Sequence, residues 1–213
     1  MIYLFKLNKN IEFYWKKSLH DKVKKRGGNL FMKLSNTLKE WGGVTKLFHW
    51  GMFLLIIIQY TFAYTMLEMF PSDQKWMLFK WHKELGLTLL LLVFFRFWWK
   101  QCNLVPKDSE KAPRWSHILS KINIWTLYIL MFVFPLTGLL MSILGGHPVD
   151  YFNLFTIPAL INDKDNVYAA FFLTAHIRIS YVLYVFVGLH ILGAFYHHFI
   201  IRDKVLSRML PHI

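Results

Sequence analysis

Four stretches of this chain, residues 47–70, 81–99, 122–144 and 168–201, are each long and apolar enough to cross a hydrocarbon core of about 30 Å, which takes roughly 20 helical residues. They are interrupted only by scattered histidines and by charges near their ends. Lipid offers a backbone no hydrogen bonds, so each segment must satisfy its own amides, and none shows the residue alternation of a membrane barrel. The expected fold is all-α, a membrane bundle of four transmembrane helices. Composition agrees: 55% of the 213 residues are hydrophobic and 17% charged, against about 25% charged in soluble domains.

The net charge of +13 suggests nucleic acid until the cations are placed. Twenty of the 25 Lys and Arg fall before residue 47, between 96 and 121, or after 201, whereas five surround the first and third connections in the company of six acids. Cytoplasmic loops of membrane proteins carry the excess of Lys and Arg, so both termini are expected in the cytoplasm. The partner of the basic surplus is then anionic membrane lipid and not nucleic acid. A single cysteine, Cys102, excludes an internal disulfide, and no CxxCH motif is present to attach a c-type haem. It reads as a free thiol, buried or interfacial. Residues 1–40 form a basic N-terminal extension to a four-helix domain over 41–213. The extension mixes aromatics with lysines and reads either as an interfacial amphipathic helix or, since Met32 offers an ordinary start, as a stretch outside the core.

Ten histidines occur, and depth separates them. His20, His117, His147 and His212 lie in tails or connections and read as solvated or interfacial side chains. His49 stands near the cytoplasmic start of the first helix, His82 at the outer start of the second, and His176 and His190 on the fourth. An ionisable group at membrane depth is costly enough to imply function. Fourteen helical residues rise about 21 Å and leave His176 and His190 within about 40° of one face. The four histidines therefore form two sites stacked across the bilayer, His49 with His190 toward the cytoplasm and His82 with His176 toward the outside.

A structural zinc ion usually takes four protein ligands, often thiolates, whereas each site here has two nitrogens and no nearby cysteine or deep carboxylate. Haem iron takes only two axial ligands from the protein, and its ring suits the aromatic, apolar walls of these helices. Gly51, Gly86 and Gly188 stand two to four residues from a histidine, where a flat ring needs close approach, although membrane helices also use glycine for ordinary packing. Two non-covalent b haems with both axial positions filled leave outer-sphere electron transfer as the chemistry. By depth alone His197 would match His49 better than His190 does, but a span from His176 to His197 is about 31 Å, too far for quick transfer. His190 is therefore taken as the ligand, and His197 and His198 as interfacial, near haem propionates or on a proton path.

The motifs "FHWGM", "WHKELGL", "PLTGLLMS" followed by "GGHPVDYFNLFTIPALI", and the closing "GLHILGAFYHHFIIRDKVLSRMLP" resemble the bacterial cytochrome b561 family of the superoxide:quinone oxidoreductase type, from about residue 41 to the C-terminus. That resemblance implies a di-haem b cytochrome of the bacterial inner membrane that passes electrons from superoxide, on the periplasmic side, to ubiquinone. By motif, His49 and His190 would ligate the cytoplasmic-side haem iron, and His82 and His176 the periplasmic-side one. The extension before Met32 departs from the family pattern. Lys46, Lys83 and Arg178 lie one to three positions from these ligands and read as contacts for haem propionates, as a positive field that attracts superoxide, or as snorkelling charges. Trp81, Trp98, Trp99 and Trp125 read as interfacial belts. No residue identifies a catalytic group, a superoxide contact or a quinone pocket.

Two other readings compete. The chain could be a cytochrome b subunit that anchors a hydrogenase or other dehydrogenase and passes its electrons to quinone. It could also be a histidine-based metal transporter, for which Gln59 is thin support. A homodimer is compatible with each.

Overall fold

The computed structural model describes residues 14, 17, 18, 21, 34–161 and 166–211. Most of the N-terminal extension, and with it the amphipathic-helix reading, lies outside the described residues. Four helices are long and apolar enough to cross a membrane: α1 (Gly43–Glu68), α2 (Asp73–Cys102), α3 (Arg114–Leu144) and α4 (Val167–Phe195). The last runs on through a π-helical turn, Tyr196–Ile201, before the short helix α5 (Val205–Met209). Large apolar side chains such as Leu54, Ile57, Phe94, Ile129, Phe171 and Leu192 stand exposed along the four spans. Such surface is sustainable in lipid, where apolar side chains replace the polar coat of a soluble helix.

Two helices begin earlier than the apolar runs that announce them. Ser72 Oγ accepts the Lys75 amide at 3.2 Å, an N-cap that starts α2 at Asp73. Pro113, whose carbonyl accepts the amides of Ser116 and His117, starts α3 at Arg114. Hydropathy registers the membrane-embedded stretch of a helix and misses its polar first turns. His82 consequently lies nine residues inside α2, not at its start.

The connection after α3 holds an element absent from the sequence reading, an antiparallel hairpin of β1 (Val149–Tyr151) and β2 (Phe155–Ile157), pairing Val149 with Ile157 and Tyr151 with Phe155. Its turn is closed by the Leu154 amide on Tyr151 O at 2.8 Å. Phe152 (φ 48°) and Asn153 (φ 58°), the two central residues of that turn, are both left-handed.

The chain groups into two units, Met1–Trp50 with Phe95–His117 and Ala194–Ile213, and Gly51–Phe94 with Ile118–Gly193. In the second, Met52, Leu89 and Val93 form a buried core packed by Leu55, Ile56, Leu92 and Met131, which joins α1, α2 and α3. The Tyr60 hydroxyl donates to Ser180 O at 3.0 Å and Asn123 Nδ2 to Phe186 O at 3.1 Å, tying α4 to α1 and to α3. In the first, buried Asn36 donates to Leu104 O at 2.9 Å and accepts from the Gly42 amide and the Thr45 hydroxyl. Trp99 Nε1 donates to that same Thr45 hydroxyl and Trp50 Nε1 to Met209 O. Trp99 is thus part of a hydrogen-bonded cluster, while Trp81, Trp98 and Trp125 are exposed as belt residues should be. Cys102 is exposed.

Candidate functional site

In the second unit α2 and α4 bring His82 and His176 together, with ring centroids 6.4 Å apart and planes at 88°. They line an open cleft with about 940 Å³ of empty space, its mouth included, whose walls are largely apolar: Ile56, Leu87, Leu90, Met131, Phe134 and Leu183 among them. Ligand pockets are likewise mostly apolar with few polar groups.

His176 is held in one orientation and one tautomer. Its Nδ1 lies 3.0 Å from Phe134 O and 3.2 Å from Thr137 Oγ1, and the Thr137 hydroxyl itself donates to Phe134 O at 2.7 Å. A carbonyl only accepts, so Nδ1 carries the proton and Nε2 keeps its lone pair free for a metal. The Phe134 ring stacks on the imidazole at 4.2 Å, and Gly138 lets the ring lie against α3, since a Cβ there would meet His176 Cε1 at 2.9 Å. Across the cleft, Gln59 Nε2 donates to His82 O at 2.9 Å, while His82 Nδ1 is buried without a hydrogen bond.

A fastening of α2 to the hairpin lies two residues beyond His82. Glu84 is 2% exposed, accepts the Phe152 amide at 3.2 Å and lies 3.9 Å from Lys80 Nζ. Lys80 donates to Asn153 Oδ1 and Lys83 to Pro148 O, each at 3.3 Å. Sequence reasoning passed over Glu84, although a carboxylate in an apolar stretch beside a deep histidine was a usable signal. Of the charged candidates, Lys83 lines the cleft, Arg178 is exposed on α4, and Lys46 is half-buried near the start of α1 in the first unit.

That first unit also holds His49, whose Nδ1 lies 3.2 Å from Arg96 Nη2. A guanidinium only donates, so Nδ1 accepts here. Arg96, which the sequence offered only as a topology charge, is thus a neighbour of a candidate ligand. His190 is half-buried in the second unit on the same unbroken helix as His176, about 21 Å along its axis. Of the glycines picked out by sequence, Gly51 and Gly188 meet no neighbouring atom where a Cβ would stand, and Gly86 faces the Gln59 amide; Gly138 was missed. His197 proves buried and doubly hydrogen-bonded, whereas His198 is exposed.

The His82–His176 geometry fits an iron between two imidazoles. With metal–nitrogen bonds of about 2.0–2.1 Å, two ligating rings have centroids roughly 6 Å apart, close to the 6.4 Å observed. Among the described residues there is no group of three or more His, Cys, Asp or Glu that could hold a metal ion, whereas a haem iron takes only two axial ligands from the protein. A family model described as prokaryotic cytochrome b561 matches residues 40–212. The chain belongs to that family. Its members bind b-type haem and carry electrons in membranes, and this chain, with four helices long and apolar enough to cross a bilayer, is a multi-pass membrane protein. It is 26% identical to cytochrome b561 homolog 2 of Escherichia coli K12, over 84% of this chain and 95% of the relative. It is 28% identical to a probable superoxide oxidase, CybB, of Yersinia pestis, over 76% of this chain and 91% of the relative. Cytochrome b561 homolog 1 of the same E. coli strain is 24% identical, over 76% and 92%.

Proposed function

We propose that this cytochrome carries electrons across the bacterial inner membrane through two bis-histidine b haems, taking them from superoxide at the periplasmic side and passing them to ubiquinone. The observation that carries this reading is the His82–His176 pair, set at ligand spacing in an apolar cleft. His82 and His176 hold the periplasmic-side haem, and His49 and His190 the cytoplasmic-side one, the latter pairing resting on the sequence motifs. Both termini face the cytoplasm, by the distribution of Lys and Arg.

The haems supply one-electron chemistry whose potential the axial ligands and their hydrogen bonds tune. The chain's own residues prepare the site for it. Phe134 O and Thr137 fix the Nδ1 proton of His176, so that Nε2 is unprotonated and would be available to hold a haem iron. Phe134 and Gly138 lock the ring plane. Lys83, one residue after His82, lines the cleft and would add positive charge there that favours an anionic donor. The name of the Yersinia pestis relative supports superoxide as that donor.

A redox difference spectrum with haem quantification tests the core of the reading. Two haems per chain with distinct potentials are expected, and His176→Ala should leave one. Stopped-flow mixing with superoxide should reduce the haems; haems that stay oxidised would overturn the choice of donor.

A further inference from the structure

The two rings of the cleft differ in one respect. His176 Nδ1 has two acceptors, Phe134 O and Thr137 Oγ1, whereas the buried His82 Nδ1 has none. A ligating imidazole carries its proton on the nitrogen turned away from the metal, and that N–H nearly always finds a carbonyl, carboxylate or water. The cleft contains a matching acceptor. Gln59, 6% exposed in the middle of α1, anchors its Nε2 on the carbonyl of His82 itself, at 2.9 Å, yet its Oε1 makes no hydrogen bond. Gly86 keeps this seat open, since a Cβ there would come within 3.2 Å of Gln59 Nε2. Four buried side-chain polar atoms among the described residues lack a partner, and the two that belong to this cleft are a donor and an acceptor. A glutamine turned inward on a membrane helix needs such a reason, because lipid penalises an unsatisfied amide.

Resting on the haem reading above, we infer that Gln59 is the positioning residue of the axial ligand His82: its amide oxygen accepts the Nδ1–H through one water, while its amide nitrogen pins the backbone of the same residue. An acceptor on Nδ1 makes the imidazole a stronger donor to iron. Gln59 therefore favours the ferric state of the outer haem and sets its potential below the value an apolar side chain at 59 would allow.

The test is a potentiometric titration of the haem-loaded protein, with electron paramagnetic resonance of the ferric haems, for the wild type, Gln59→Leu and Gln59→Glu. Gln59→Leu should raise the outer-haem potential by the equivalent of about a tenfold change in the ferric–ferrous ratio, about 59 mV for a one-electron couple, and shift that haem's resonance while leaving the inner haem unchanged. Gln59→Glu, which keeps an acceptor, should move the potential the other way. If Gln59→Leu loses the outer haem, its retention in Gln59→Glu supports the assignment. Potentials unmoved in both variants, both haems shifting together, or loss of the outer haem from Gln59→Glu would each overturn it. Retention of both haems in His82→Ala would instead sink the ligand assignment on which the inference rests.

Discussion

The imidazole of His197 bridges Asp203 and Ser116: its Nδ1 lies 2.7 Å from Asp203 Oδ2, and its Nε2 3.0 Å from Ser116 Oγ. The π-helical turn that carries His197 ends at Arg202 in the left-handed conformation (φ 54°), and the amides of Arg202 and Asp203 both return to His197 O. The chain therefore doubles back on the histidine, and the resulting three-residue chain fastens the C-terminal segment to the first turn of α3.

Acid should loosen this fastening. Burial opposes ionisation of Asp203, but hydrogen bonds from His197, the Val205 amide and Ser109 outweigh it and hold the carboxyl below its ordinary 3.8. A carboxyl depressed in the folded state binds its proton more readily when unfolded, so stability rises with pH through this window. Its contribution is complete above the ordinary value and is lost as pH falls through the depressed one. Thermal melts in detergent from pH 6 to pH 3 should show less acid loss in Asp203→Asn than in the wild type. Identical profiles would contradict the role.

Ser116→Ala removes the partner of His197 Nε2 without adding bulk. Leaving a buried imidazole nitrogen unsatisfied should cost about 1–3 kcal/mol, whereas the exposed neighbour His198→Ala should stay within about 0.5 kcal/mol. Denaturant or thermal unfolding of the two variants side by side checks the contrast.

The bundle was legible because each span is a long apolar run broken only by histidines and a few charges, and the closeness of His82 and His176 because both were placed toward the same membrane face. The rest depends on relations that a sequence period cannot express. The seven-residue step from His190 to His197 keeps one face only while the helix is regular, and the π-helical turn from Tyr196 breaks that regularity. Phe134 O, Thr137 and Gly138 become partners of His176 only through the approach of α3 to α4. Glu84 has meaning once the hairpin brings the Phe152 amide to it, and the hairpin's two left-handed positions are filled by Phe and Asn, without the glycine that usually announces such a turn.

Gly138 should be the least replaceable glycine of the outer site. A Cβ there would stand 2.9 Å from His176 Cε1 and 3.2 Å from Nδ1, so the ring must tilt away from Phe134 O. Overpacking of this kind costs about 1–3 kcal/mol, and with two haems placed as proposed Gly138→Ala should lower occupancy at the His82–His176 site while sparing the other haem. Gly51→Ala and Gly188→Ala meet no protein atom and should leave the outer haem intact. Haem content per chain, resolved by redox titration, separates the three variants.

The hairpin turn contains strain that a substitution can release. Phe152 holds a left-handed backbone that costs an ordinary residue roughly 1–2 kcal/mol and that asparagine tolerates better. Its ring is 47% exposed and meets Tyr151 only edge-on, with centroids 5.0 Å apart, so little packing is at stake. Its amide, by contrast, is the donor that satisfies buried Glu84. Phe152→Asn keeps that amide and should raise stability by about 1 kcal/mol. Phe152→Pro removes the donor and fixes φ at the wrong sign, so it should destabilise and expose the 145–161 connection to protease. Melting temperature and limited proteolysis of the pair decide whether the residue is held there by its backbone bond to Glu84 or by its ring: a ring-held turn would make Phe152→Asn the destabilised one.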